Sequence, residues 1–210
     1  MAINLKKGQG IDLRKSEHDL SKVTIGLGWD IAQPKGIFSK LLKQPEEYDL
    51  DAIAFLCAAD GKVHHFGDKL VGGDVVFFNS QRHPSGHIWL TGDNRTGAGD
   101  GDDEQIIANL NVLDDRYKKI VFVVSIYQGK QKQQHFGKVE NAFIRAVDAR
   151  GNEMVRVNLS ANPETQGMCS MVFAEMNRSA SGWEFRALLQ PHRTDSFVQI
   201  LRDHYFPAQG

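Results

Sequence analysis

The 210-residue sequence is short of the features that mark several common protein classes. It has two cysteines, Cys57 and Cys169, each in an apolar run (AFLCAA and MCSMVF). Two buried, reduced thiols are expected, not a disulfide framework, and without a CxxC there is no zinc knuckle. No apolar run approaches the roughly 20 residues that span a bilayer. The opening MAINLKKGQGIDLRK turns polar at once and lacks the apolar stretch of a signal peptide, so a cytoplasmic location is expected. Neither charge sign dominates: the formal net charge is −1. That excludes the basic face of generic nucleic-acid binding, and no nucleic-acid partner is expected. The glycines are not followed by Lys-Ser/Thr, which excludes a P-loop. With 41% apolar and 24% charged residues, the chain has enough core to fold and is not a disordered tail.

Short Val-, Ile- and Phe-rich runs fill the chain. VTIGLGWD, DAIAFLCAA, DVVFFN, HIWLTG, KIVFVVSIYQ, NAFIRAVDA, EMVRVNLS, CSMVFAEMNR and EFRALLQ all read as strands. Turn residues separate them (Asp60-Gly61, Pro84-Ser85-Gly86, Gly151-Asn152, Ser181-Gly182). Most gaps are too short for crossover helices, so the spacing predicts an all-β fold, a two-sheet antiparallel sandwich with a few short helices. DDEQIIANLNVLDDR reads as a short helix or an edge strand. Phe136 to Glu140 reads as a helical turn, and Asp195 to Tyr205 as a helix with Phe197, Ile200, Leu201 and Tyr205 on one side. No linker divides the chain. One sandwich domain is expected over 1–190, with a helical segment over 191–210 packed on it or extending from it.

The segment 91–104 departs from ordinary strand and turn sequence. From Asp93 to Glu104 it holds Asp93, Asp100, Asp102, Asp103 and Glu104 against Arg95 alone. Two like charges about 4 Å apart repel by about 4 kcal/mol at an effective dielectric of 20, a cost that a bound cation removes. Glycines at 97, 99 and 101 allow sharp turns that aim carbonyls inward. Asn94 and Thr96 add an amide and a hydroxyl, and the donor set is all oxygen with no His or Cys. Such a set suits Ca²⁺ better than Mg²⁺, Zn²⁺ or Cu²⁺. The order of acids is not that of an EF-hand, since Arg95 stands at its third position. A second acidic piece, Asp49 and Asp51, opens the strand DAIAFLC with both side chains on one face. Asp30, ending VTIGLGWD, and Asn79, ending DVVFFN, offer further oxygens. If these pieces meet, the charge favours two ions over one. The bland alternative is a solvated hairpin loop.

At these residues the sequence resembles the TerD family of tellurite-resistance and stress proteins. The matching text is GLGWD (26–30), DLDAIAFL (49–56), GDNRTGAGDGDDEQI (92–106), KIVFVVSIY (119–127), FGKVENAFIRAVD (136–148) and GWEFRALLQ (182–190). The resemblance implies a β-sandwich that binds Ca²⁺ at one end, with Asp30, Asp49, Asp51, Asp93, Asn94, Asp100, Asp102, Asp103 and Glu104 in the family's acidic pattern. It also implies other Ter-type proteins as partners, membrane-embedded ones among them. The stretch 31–47 is an insertion relative to the plainest members. Its Lys35, Lys40 and Lys43 beside Ile37, Phe38, Leu41 and Leu42 suit either a loop over the sheet edge or a docking element. In the second case, 35–43 would dock on a partner protein or make peripheral contact with the inner face of the cell membrane.

The remaining candidates are weaker. His64-His65, His83 and His87 read as turn histidines, because Pro84 and Gly86 break any helical pairing of the last two. Ser85 and Ser125 show no His/Asp set around them, so no catalytic residue is assigned. Trp29, Trp89 and Trp183 read as packing. The first expectation is therefore a non-enzymatic, Ca²⁺-ordered interaction module. Its rivals are a metal-dependent phosphoesterase and a Ca²⁺-dependent binder of anionic membranes.

Overall fold

The computed structural model describes residues 2–31, 48–91, 101–159 and 163–208. Within them the chain forms two six-stranded sheets packed face to face. The first has the order β1 (Ile3–Asn4), β10 (Glu153–Leu159), β9 (Val139–Val147), β3 (Val23–Ile31), β7 (Glu104–Ala108) and β6 (Ile88–Thr91). The second has the order β2 (Gly10–Arg14), β12 (Gly182–His192), β11 (Ser170–Ser179), β8 (Lys119–Ile126), β4 (Leu50–Cys57) and β5 (Val75–Val76). Every neighbouring pair is antiparallel except β1 with β10. The protein is an all-β sandwich.

Period-2 alternation decides which side chains enter the core. Val23, Ile25, Leu27 and Trp29 of β3 share one core with Leu56, Phe122 and Val124 of the second sheet, with Gly26 and Gly28 on the outer side. In β4 both faces are covered, which is why its sequence reads as a continuous apolar run. Ala52, Ala54 and Leu56 join the inter-sheet core, whereas Ile53, Phe55 and Cys57 join a second cluster on the outer face. That cluster is roofed by the C-terminal segment, a turn of α-helix, α1 (Phe197–Ile200), continued over Leu201–Tyr205 by wider, π-type hydrogen bonding. Phe197, Ile200 and Leu201 are buried, and the rings of Phe55 and Tyr205 lie 5.4 Å apart. Burying side chains of this size stabilises by about 1.5–3 kcal/mol each, enough to hold a short segment on the sheet.

Two assignments change. The segment DDEQIIANLN yields β7, which lies between β3 and β6 and is not an edge. The run DVVFFN pairs only through Val75 and Val76 before the tight turn Phe77–Ser80. Both cysteines are free and buried, and burial pushes the Cys57 thiol up to about 12, so it stays protonated.

Strand direction divides the loops between two ends. The ends of β3, β6, β8, β10 and β12 and the starts of β4, β7, β9 and β11 meet at one end, which we term the acidic end. The turns 58–74, 109–118 and 148–152 lie at the far end.

Candidate metal centre

The acidic stretch enters β7 through Gly101, Asp102, Asp103 and Glu104. The Asp103 N–H bonds to the Leu27 carbonyl at 2.8 Å, so the turn runs alongside β3 before the ladder begins at Leu27 and Glu104. Two glycines of β3 make this approach possible. A Cβ on Gly26 would lie 2.2 Å from the Asp102 carboxyl carbon, and one on Gly28 would lie 2.8 Å from the Gly101 carbonyl. Only glycine leaves that space.

The three consecutive acids then take three directions. Asp102 sits on the outer face of the first sheet, its side chain 2% exposed, where Arg145 of β9 donates to both carboxylate oxygens at 2.8 and 3.1 Å. Asp103 accepts the backbone N–H of Trp29 at 3.0 Å. Glu104, buried, accepts the backbone N–H of Ala52 at 2.5 Å and so ties the first sheet to the second. That N–H is available because β5 is too short to cover this part of the β4 edge. Asp102 pushes the Arg145 guanidinium further up, so it stays charged. Beyond it, Arg156 and then Arg145 hold Glu153 below the usual carboxylate range, although burial opposes them.

The other expected ligands are placed unevenly. Asp49 stands just before β4 and its carbonyl accepts the Tyr127 N–H at 2.8 Å. Asp51 heads the row Asp51, Ile53, Phe55, Cys57, adjacent to the Ala52 that Glu104 reaches. The backbone of Asp30 pairs in register with Glu140. Asn79 is exposed on the turn Phe77–Ser80. Asp93, Asn94, Thr96 and Asp100 lie outside the described residues, as does the segment 35–43. Among the described residues no group of three or more His, Cys, Asp or Glu is arranged to hold a metal ion. The donor type nevertheless suits a hard cation: the acids are all carboxylates, on a turn seated in the space that Gly26 and Gly28 leave open.

One constellation was not legible beforehand. Ser85 does have a His and an Asp in line with it. Ser85 Oγ lies 2.8 Å from His83 Nδ1, and His83 Nε2 lies 3.1 Å from Asp74 Oδ1. The Ser85 backbone N–H also donates to Nδ1, which assigns the ring proton to Nε2. Tyr117 donates to Asp74 at 2.7 Å and receives from Arg116 at 2.6 Å. The His83 side chain is 1% exposed, so the ring is sealed and not merely a turn histidine. Burial would raise the Asp74 carboxyl, but the bonds from His83 and Tyr117 outweigh it and hold it low. Burial and Asp74 together push the Tyr117 hydroxyl up. The whole set closes the far end. Its only sequence trace is the turn HPSGH. Ser125 Oγ is occupied by Ser170 Oγ and the Asp195 carbonyl, both at 2.9 Å.

A two-sheet antiparallel sandwich whose acids gather on one glycine-cradled turn defines the class: a β-sandwich with a carboxylate-rich end. The chain belongs to the TerD domain family, whose model matches residues 1–204. It is a TerD-family protein of the tellurium-resistance and stress-response group. It is 60% identical to the tellurium resistance protein TerX of Serratia marcescens, over 97% of this chain and 100% of that one. It is 43% identical to the stress response protein SCP2 of Bacillus subtilis (strain 168), over 90% of this chain and 92% of that one. Among solved structures, a Streptomyces coelicolor A3(2) homologue of the telluride resistance protein TerD superposes with a TM-score of 0.63 at 26% identity, covering 89% of this chain and 99% of that one. Among the described residues no helix is long and apolar enough to cross a membrane.

Proposed function

We propose that this protein is a non-enzymatic Ca²⁺-binding module of the tellurium-resistance and stress response. In this reading Ca²⁺ orders one end of the sandwich into a surface for a partner. The observation that carries it is the density of carboxylates around the turn 101–104, brought beside β4 by the Glu104–Ala52 bond. Asp49, Asp51, Asp103 and Glu104 would supply oxygens together with Asp93, Asn94, Thr96 and Asp100, and the charge favours two ions. The bound metal supplies charge neutralisation and cross-linking of loops. Direct capture of a tellurium oxyanion fits poorly, since this end would repel it and both thiols are buried. Partners of Ter type are the natural targets, with 35–43 as a second docking element at the membrane's inner face.

Calcium titration by calorimetry on chelator-stripped protein tests the reading. Heat with a stoichiometry near two, and a melt that moves upward, is expected. No heat and an unmoved melt would sink it. Deleting 35–43 should weaken liposome co-sedimentation while leaving the calcium heat in place. Turnover of generic phosphodiesters with Mn²⁺ or Mg²⁺, lost in Asp103→Asn, would favour the hydrolase instead.

A further inference from the structure

We propose that Arg145 is a positioning residue for the calcium centre, acting through Asp102 and not through its own charge; this rests on the calcium reading above. In the first sheet, Gly26 of β3 is in register with Arg145 of β9 on one side and with Gln105 of β7 on the other. Registered partners point to the same face. The Asp102 carboxylate lies in the notch above Gly26, clamped from both flanks. Arg145 Nε and Nη2 take the two oxygens, and Gln105 Nε2 donates to Oδ2 at 3.1 Å. Arg145 is itself braced by Glu153 at 3.0 Å, and Glu153 by Arg156 at 2.7 Å. A chain of charge-assisted bonds thus runs from the sheet to the last residues before β7. A bidentate fork fixes angle as well as distance, which a point charge does not.

The consequence is a division of labour among neighbouring acids. Asp102 is neutralised by the protein and serves as the anchor. Its immediate neighbours Gly101, Asp103 and Glu104 are held in place by that anchor. Partners behind metal ligands typically change affinity by 10- to 100-fold when removed, because the ligands lose their orientation.

The sign of one mutation separates positioning from plain electrostatics. Removing a positive charge near a cation site should tighten Ca²⁺ binding if Coulomb repulsion is what Arg145 contributes. Positioning requires the opposite. Calorimetric titration of Arg145→Met with calcium should show affinity weakened by on the order of tenfold or more. Arg145→Lys, which keeps the charge and loses the fork, should also be weakened. Gly26→Ala, which leaves every charge in place but fills the notch, should match Arg145→Met. The loss in Arg145→Met should persist in 0.5 M KCl, where a long-range Coulomb effect is screened. Calcium-free melts and far-UV circular dichroism establish that each variant is folded. If Gly26→Ala fails to fold, the two arginine variants still decide. Wild-type protein that gives no heat overturns the calcium reading and this inference with it. Wild type that binds, with Arg145→Met binding equally or more tightly, or Arg145→Lys unchanged, overturns this inference alone.

Discussion

The two ends of the sandwich bury carboxylates at different densities. At the far end Asp148 takes N–H bonds from its own turn, from Arg150 and Asn152 at 3.0 and 2.9 Å, with the Asn152 side chain and Arg150 Nε added. Its side chain is fully buried, and these donors hold it down to about 2 although burial opposes them. Asp74 is satisfied likewise by His83 and Tyr117. In each case one acid is surrounded by donors that the fold supplies. At the acidic end three acids follow one another, and among the described residues the ion pair to them comes from Arg145. Buried acids are tolerable wherever donors outnumber them. Here one arginine fork and single backbone N–H groups serve three acids in a row, and the calcium reading proposed above adds a cation to that crowded stretch.

If this contrast is sound, calcium should act on one end only. At a free concentration about 100 times Kd, each ion adds about 2.7 kcal/mol of stability. Hydrogen exchange should slow at Leu27, Trp29, Ala52 and Asp103 on adding calcium and stay unchanged at Asn152 and Val63. Equal protection at both ends would break the comparison.

The next largest effect belongs to the far end. Asp74→Ala leaves His83 and Tyr117 buried without their acceptor, and loss of one partner in a buried, charge-assisted network costs about 3 kcal/mol. The thermal melt should fall by the same amount with chelator or with calcium. A deficit that calcium repairs would mean that the two ends are coupled.

How far the sequence carries these conclusions depends on the range of the interactions. The sandwich was legible because strand alternation and turn residues are local signals, and the acidic stretch because five acids in one segment are a local anomaly. DDEQIIANLN was harder. Its inward positions Glu104, Ile106 and Ala108 put an acid where the strand pattern wants an apolar residue, and only the partner N–H on Ala52 explains it. β1 and β2 leave no such trace in the sequence: their side chains are mostly exposed, so they lack the apolar run that marks a strand. The Arg145–Asp102 fork spans 43 residues and the Asp74–Tyr117 bond also spans 43. Nothing in composition pairs such residues. Gly26 and Gly28 read as ordinary strand glycines until the turn that lies against them is seen.

A smaller effect follows from Asp148. Its folded-state value of about 2 lies below the ordinary 3.8, so its contribution is fully present above about pH 4 and is lost as pH falls through 2. The loss should be about 1–2 kcal/mol, less than the full shift would give because Arg150, one of the donors, is largely exposed and screened by water. Urea denaturation between pH 4.5 and 2 should show that slope in wild type and a shallower one in Asp148→Asn. Parallel slopes would mean that backbone donors do not stabilise this carboxylate.

The smallest effect tests whether burial, and not charge as such, is what distinguishes these acids. Arg14 and Glu17 also lie at the far end and form an ion pair at 3.3 Å, with side chains 55% and 56% exposed. Water solvates both partners, and holding two long side chains together consumes most of the modest Coulomb gain. Arg14→Ala should therefore move the denaturation midpoint by less than about 0.5 kcal/mol, and less still in 0.5 M salt. The same measurement on Asp148→Asn should give a clear loss that salt barely alters. If Arg14→Ala costs as much as Asp148→Asn, the far end is held by its surface charges, and the contrast between the two ends loses its physical basis.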